Sequence, residues 1–227
     1  MSKRMEAVEK SFDAMKQYPL GEGAAIVKKC ATAKFDETIE LHIRLGIDPK
    51  QSDQQVRGTI NLPHGVGKSK RVAVLAKGEK QREAEAAKAD LVGGEDLINK
   101  IADGFMDFDV LVATPDIMRE ATRLGKVLGP RGLMPNPKSG TVTFDIAQAV
   151  KELKAGRVEF KADDTGILHL AIGKASFTDA QIADNARTVL EAVLKAKPSS
   201  SKGVYLRSVT LSSTMGPGVK LDPSQKF

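Results

Sequence analysis

From Thr38 to Leu45 apolar and polar residues alternate without a break. Ile39, Leu41, Ile43 and Leu45 fall on one side, and Thr38, Glu40, His42 and Arg44 on the other. Successive side chains of a strand point to opposite faces, so the pattern predicts a half-buried strand with a polar face. A second such pattern closes the chain between Tyr205 and Ser213. There Ser208, Thr210, Ser212 and the adjoining Thr214 share one side, while Val209 and Leu211 take the other. Val204 and Leu206 break the alternation at the start of this strand. If the two strands lie close together, their polar sides form one surface of hydroxyls with Glu40, His42 and Arg44. Such a surface either faces solvent or holds a ligand. The bend Thr214-Met215-Gly216-Pro217-Gly218 follows, where backbone amides can approach a ligand closely.

The remaining periodicities divide the chain into three stretches. Residues 4–16 and 22–33 read as helices broken by Tyr18-Pro19-Leu20-Gly21, and residues 56–62 as a strand. Pro63-His64-Gly65-Val66-Gly67 then punctuates the chain. Beyond it short apolar strands (72–76, 91–92, 110–113) alternate with helices near 79–88, 95–103 and after Thr114-Pro115, where Thr114 is the expected N-cap. A strand at 142–144 and a helix at 146–155 closed by Gly156 complete this βα alternation, which predicts a small parallel sheet flanked by helices. After Gly156 the style changes again. Residues 157–161 and 167–172 read as a hairpin turning at Asp163-Asp164-Thr165-Gly166, followed by a long helix over 178–197. The expected fold class is mixed α/β and α+β. A split α+β sandwich domain, 1–66 with 157–227, carries an inserted Rossmann-like α/β domain, 67–156. Gly65, Gly67 and Gly156 at the two crossings are the expected hinge.

Charge adds a preference for polyanions. The chain has 227 residues, a formal net charge of +6, and three windows without any carboxylate. One runs from Asp53 to Glu79, a second from Glu191 to Asp222, and the third contains Leu124–Thr141. That last stretch, LGKVLGPRGLMPNPKSGT, holds four glycines, three prolines and the cations Lys126, Arg131 and Lys138. Proline fixes φ and glycine opens φ > 0, so this composition specifies one stiff path. Cations displayed without counter-charge suit phosphate; the competing reading is a connector whose charges are solvated. With eight Phe, two Tyr and no Trp, sequence readout by broad aromatic stacking is disfavoured. A folded RNA recognised by shape, phosphate and 2′-hydroxyl suits the chain better. Phe35, beside Lys34 and just ahead of the polar-faced strand, is the aromatic to single out, either as a contact or as a core residue at a helix–strand junction.

Enzyme signatures fail. Gly67-Lys68-Ser69 resembles the end of a phosphate loop, but the upstream glycine position holds Leu62. Gly21-Glu22-Gly23 lacks the third glycine of a dinucleotide fingerprint. His42, His64 and His169 are scattered, and a single cysteine, Cys30, leaves no zinc spacing and no intramolecular disulfide. Asp107 and Asp109 read as turn residues bounding a strand. No metal, cofactor or catalytic residue is expected. A nucleotide-binding enzyme using the inserted α/β domain is the alternative, resting on fold style alone. One cysteine fits a reducing cytoplasm, and the sequence contains neither a signal-peptide core nor a run of roughly 20 apolar residues.

Five blocks in order carry a resemblance: AKFDETIELHIRLGIDP from Ala33, SDQQVRGTINLPHG from Ser52, MDFDVLVATPD from Met106, LGPRGLMPNPKSGTV from Leu128 and STMGPG from Ser213. Together they closely resemble the L-one family of ribosomal proteins, the stalk proteins of the bacterial large subunit. The resemblance implies a two-domain RNA-binding ribosomal protein at a mobile stalk near the exit site, monomeric when free. Its implied partners are the stalk ribosomal RNA, the exit-site transfer RNA that it helps to leave, and its own messenger, whose translation it represses. By motif, the implied RNA contacts are Lys34, Phe35, Thr38, Glu40 and His42, with Ser208, Thr214, Met215 and Gly216. Ser212 joins them through the shared strand face. Arg131 and Lys138 of the basic loop, with Arg157 and Lys161, are implied secondary contacts. The segment 158–166 departs from the family at Ala162 and Asp164, where relatives carry Asn and a cation; a carboxylate there is unfavourable beside phosphate.

Overall fold

The computed structural model describes residues 3–225, except the side chains of Lys3, Ser52 and Lys138. The chain divides into two compact units. One runs to Gly67 and resumes at Val158; the other is Lys68–Arg157.

The terminal unit begins with helices α1 (Lys3–Glu9) and α2 (Leu20–Cys30), then strands β1 (Thr38–Leu45) and β2 (Arg57–Asn61). The helix expected to reach residue 16 ends at Glu9. Beyond it the Ser11 hydroxyl donates to the Val8 carbonyl, and the Asp13 carboxylate accepts from the Met15 N–H. Such local side-chain bonds compete with the helix ladder. Helix α2 buries Leu20, Gly23, Ala24, Val27 and Cys30, spaced along one helical face.

The middle unit holds β3 (Val72–Leu75), α3 (Glu79–Ala86), β4 (Leu91–Gly93), α4 (Glu95–Ala102), β5 (Val110–Ala113), the short α5 (Met118–Ala121) and α6 (Gly125–Leu128), and α7 (Ile146–Ala155). Its three strands form a parallel sheet in the order β4-β3-β5. Period-two alternation gives the sheet two cores. Ala73, Leu75, Leu111 and Ala113 pack with Leu97, Ile101, Ile117 and Leu124. Val72, Val74 and Val112 pack with Ala84, Ile146, Val150 and Leu153. Burial on both faces is why the strands read as continuous apolar runs.

Two expectations need correction here. Residues 142–144 contribute only an isolated bridge, Val142 to Ala113, because Phe144 leaves the sheet edge, more than half exposed. Nor does Thr114 cap a helix: a turn follows it, and α5 starts only at Met118, with Ile117 at the N-cap position and no side-chain cap.

Returning to the terminal unit, the chain forms β6 (Arg157–Lys161), β7 (Ile167–Lys174), α8 (Asp179–Lys195), β8 (Leu206–Ser213) and β9 (Gly218–Leu221). Strands β6 and β7 are not a hairpin. Strand β6 pairs with β2 in a two-stranded sheet, whereas β7 joins a four-stranded sheet ordered β7-β1-β8-β9. The corner between them is held by the Asp163 carboxylate, which accepts from the N–H groups of Thr165 and Ile167 and from the Thr165 hydroxyl. An Asx turn of this kind redirects the chain instead of folding it back in register.

One face of the four-stranded sheet carries Ile39, Leu41, Ile43, Leu168, Leu170, Val209 and Leu211 into a core completed by α2 and α8. Helix α8 starts on a full capping box, Thr178 with Gln181, and lays Ile182, Ala186, Val189 and Val193 on that core. The irregular start of β8 has a structural reason. Its register shifts so that Arg44 faces Ser208 but Leu45 faces Leu206, with Arg207 as the extra residue. This bulge returns Leu206 to the buried side, and Val204 lies outside the strand, exposed.

At the crossings Gly65, Gly67 and Gly156 have φ of 65°, 76° and 111°, a region that β-carbon sterics disfavour for other residues. The segment leading into the first crossing is fixed from below by Asn185. Its amide oxygen accepts the His64 N–H, and its amide nitrogen donates to the carbonyls of Gly65 and Ile172.

Candidate nucleic-acid interface

The antiparallel pairing of β1 with β8 places Glu40 opposite Ser212, His42 opposite Thr210 and Arg44 opposite Ser208. On the other flank of β1, His42 faces His169 of β7. The polar sides of the three strands therefore form one surface, and Thr38, Glu40, His42, Arg44, Ser208, Thr210 and Ser212 are all at least partly exposed on it.

A hydrogen-bonded row runs across this surface at its middle. Nδ1 of His42 and Nδ1 of His169 lie 2.8 Å apart, one donating to the other. Nε2 of His42 is 2.9 Å from the Ser212 hydroxyl and 3.8 Å from the Glu40 carboxylate. Partial burial, then repulsion from His169, pushes the His42 pKa down, against an opposing pull from Glu40. His42 is therefore neutral at physiological pH and presents hydrogen-bonding groups instead of a charge. His169, scattered from His42 along the sequence, is its direct cross-strand neighbour in the fold, and the alternation Leu168, Leu170, Ile172 places it outward by the same period-two rule.

At one end the surface runs into a lip made of two chain segments. The Thr38 N–H donates to the Thr214 hydroxyl at 3.0 Å, and the Thr214 N–H donates to the Thr38 carbonyl at 3.0 Å. Lys174 donates to the Thr38 hydroxyl at 2.8 Å. Gly216 closes the turn with its N–H on the Ser213 carbonyl, and a β-carbon there would meet the Ser213 hydroxyl. On this lip Phe35 is 55% and Met215 49% exposed, a large outlay of apolar surface at a polar sheet edge. Phe35 is thus not a core residue at the helix–strand junction. Lys34 beside it is exposed as well.

Glu37 was also missed, and nothing in the sequence marks it. It is buried, 1% exposed, although it sits in a polar connector. Burial alone would raise its pKa, but N–H donors from Ala33 and Met215, with Arg4 nearby, hold the carboxyl below the ordinary range.

Of the expected secondary contacts, Arg131, Lys138 and Arg157 belong to the middle unit, where the Arg157 guanidinium lies beside Gly140 at the end of the basic loop, and Lys161 belongs to the terminal unit. Arg131 is exposed in the middle unit, in a loop closed on itself by bonds from Gly132 N–H to Gly129, Leu133 N–H to Leu128 and Asn136 N–H to the Thr141 hydroxyl. Pro135 and Ser139 anchor this loop by burial. The backbone of Lys138 lies in its 3-10 turn, while the Lys138 side chain lies outside the described residues. The Arg157 guanidinium bonds Glu152 at 2.8 Å, which neutralises much of its pull on phosphate. Lys161 is exposed on the terminal unit, close in sequence to the exposed Asp164.

Lys68 of the apparent phosphate loop is paired with Asp109 at 2.9 Å. Asp109 also accepts the Arg71 N–H, which makes it a strand-bounding residue. A cleft in the middle unit is lined in part by Glu95, Asn99, Glu120 and Arg123, and Glu120 is paired with Lys77. Among the described residues no group of three His, Cys, Asp or Glu is placed to hold a metal, and no helix is long and apolar enough to cross a membrane.

A family model described as the ribosomal protein L1p/L10e family matches residues 27–217. The chain is also 56% identical over 221 residues to a protein of Solibacter usitatus (strain Ellin6076) named large ribosomal subunit protein uL1. That match covers 97% of this chain and 93% of the relative.

Proposed function

This chain belongs to the ribosomal protein L1p/L10e family, and on that footing we propose that it grips large-subunit stalk RNA with the polar face of its four-stranded sheet and the Phe35–Met215 lip. As a member it is a structural component of the large ribosomal subunit in the cytoplasm, active in translation and not an enzyme. The observation that carries the RNA reading is the coincidence, on one face, of a hydroxyl and imidazole row with two exposed apolar side chains on a hydrogen-bonded lip.

Hydroxyls of Ser208, Thr210, Ser212 and Thr214 suit ribose 2′-hydroxyls and phosphate oxygens. Glu40 accepts from a 2′-hydroxyl or an exocyclic amine, and neutral His42 either donates or accepts. Phe35 and Met215 supply flat and adaptable apolar contact against a sugar or base face. Lys34 and Arg44 contribute cations. A surface dominated by neutral donors and acceptors selects a folded shape, whereas phosphate contacts alone do not.

The finer parts of the reading follow. The terminal unit serves as the RNA-binding domain, and the middle unit, as an inserted domain, brings Arg131 and Lys138 to a secondary RNA contact. Gly65, Gly67 and Gly156 allow the two to move. At the stalk the protein assists departure of exit-site transfer RNA, and it represses its own messenger by binding a mimic of the ribosomal site. It acts as a monomer when free.

The test is affinity at physiological salt for the cognate stalk RNA fragment, a scrambled hairpin of equal length, and the DNA version of the stalk sequence. Strong preference for the first is expected. Equal, salt-labile binding to all three would reduce the chain to a generic basic protein and dismiss the assigned surface.

A further inference from the structure

We propose that Glu37 and Arg4 are positioning residues that clamp the Met215 backbone from both sides and so preset the lip for RNA. The inference rests on the reading of that lip as part of the RNA interface. The Met215 N–H donates to one Glu37 carboxylate oxygen at 2.9 Å, and the Met215 carbonyl accepts from Arg4 Nη2 at 2.7 Å. Each clamp residue also reaches the facing segment. The other Glu37 oxygen accepts the Ala33 N–H at 2.9 Å, and Arg4 Nη1 donates to the Thr32 hydroxyl at 3.1 Å.

The same two side chains therefore tie the segment carrying Lys34 and Phe35 to the segment carrying Thr214, Met215 and Gly216. The Glu37 carbonyl takes a third segment, accepting the Ala175 N–H at 2.8 Å. With its backbone bound on both sides, Met215 holds its side chain out of the core. A loop ordered in advance spares the complex the entropy of ordering it on binding.

This also accounts for a carboxylate under a surface meant for RNA. Glu37 is buried and faces inward, so its charge is spent on backbone N–H groups and Arg4 and is not presented to phosphate. Glutamine at this position keeps the shape but sets an NH2 donor against one of the two N–H groups.

The experiment compares wild type, Glu37→Gln and Arg4→Met. Amide exchange at Met215 is read by NMR in the free protein, and affinity for the stalk RNA fragment is read across a salt series. For Glu37→Gln, exchange at Met215 should quicken at least tenfold and RNA affinity fall at least tenfold, with an unchanged salt slope because no phosphate contact is lost. Arg4→Met, a change at a half-buried residue outside the hydrophobic core, should give the same signature in milder form. Unchanged exchange in Glu37→Gln would overturn the clamp. Faster exchange with wild-type affinity would overturn its role in recognition, and a reduced salt slope in Arg4→Met would make Arg4 a phosphate contact instead. If wild type itself fails to prefer the stalk fragment, the functional reading falls, which separates that failure from a clamp that fails while wild type discriminates.

Discussion

Replacing Asn185 by leucine tests how the terminal unit fixes the segment entering the first crossing. Asn185 is fully buried and satisfies three backbone groups: the His64 N–H at 3.2 Å, the Gly65 carbonyl at 3.0 Å and the Ile172 carbonyl at 2.7 Å. Leucine has the same branching with bulkier methyl groups and cannot replace any of them. A lost hydrogen bond costs about 0.5–1.5 kcal/mol net, and a buried group left unpaired about 1–3 kcal/mol. The Ile172 bond is buried, so its carbonyl bears the larger cost, while the two nearer the surface regain water. Together this gives about 3 kcal/mol.

The measurement has a built-in filter. Tyr18 and Tyr205 are the only tyrosines, tryptophan is absent, and both tyrosines lie in the terminal unit. Tyrosine fluorescence in urea therefore follows that unit alone. With a slope of about 2 kcal/mol per molar urea, the midpoint should fall by about 1.5 M. A fall below about 0.5 M would mean that the three backbone groups find other partners cheaply, and the role assigned to Asn185 would be wrong.

The same fluorescence assay checks two further expectations. At Gly46→Ala the new β-carbon would sit on the Val204 carbonyl oxygen, a backbone atom, where the Gly46 N–H already bonds Tyr205 at 2.7 Å; separating the segments should cost more than about 2 kcal/mol. Because His42 titrates lower in the folded chain than in the unfolded one, its contribution is intact above about pH 6.5 and is lost as pH falls through its folded pKa. The midpoint should therefore drop between pH 7.5 and 5.5, and His42→Asn should flatten that drop. For RNA, Met215→Asp should weaken stalk binding far more than Arg131→Ala, whose main effect should be a salt slope smaller by about 0.7–0.9. Equal losses for the two would count against recognition by the terminal unit.

Much of the candidate surface was legible because strand periodicity is a local property. The alternation in 38–45, and from Ser208 onward in the strand read over 205–213, assigned sides to Glu40, His42, Ser208 and Ser212, and pairing then set those sides next to one another. The parallel sheet was equally legible from its apolar runs. Strand β9 escaped notice although Val219 and Leu221 alternate with Lys220, since four residues after a glycine-rich bend give little pattern.

Other features had no local signal. Whether the strands around Asp163 pair with each other or part into two sheets depends on competition with β1 and β2, which lie more than a hundred residues away. Arg4 reaches Met215 across 211 positions of sequence. Glu37 reads as an ordinary polar connector residue until the fold surrounds it with N–H donors. By itself the sequence determined which residues face which way along each element, because the backbone geometry that sets those periods is the same in every protein. Only the tertiary structure decided which elements meet and which buried polar groups find partners, because those outcomes depend on the free energy of the whole packed core.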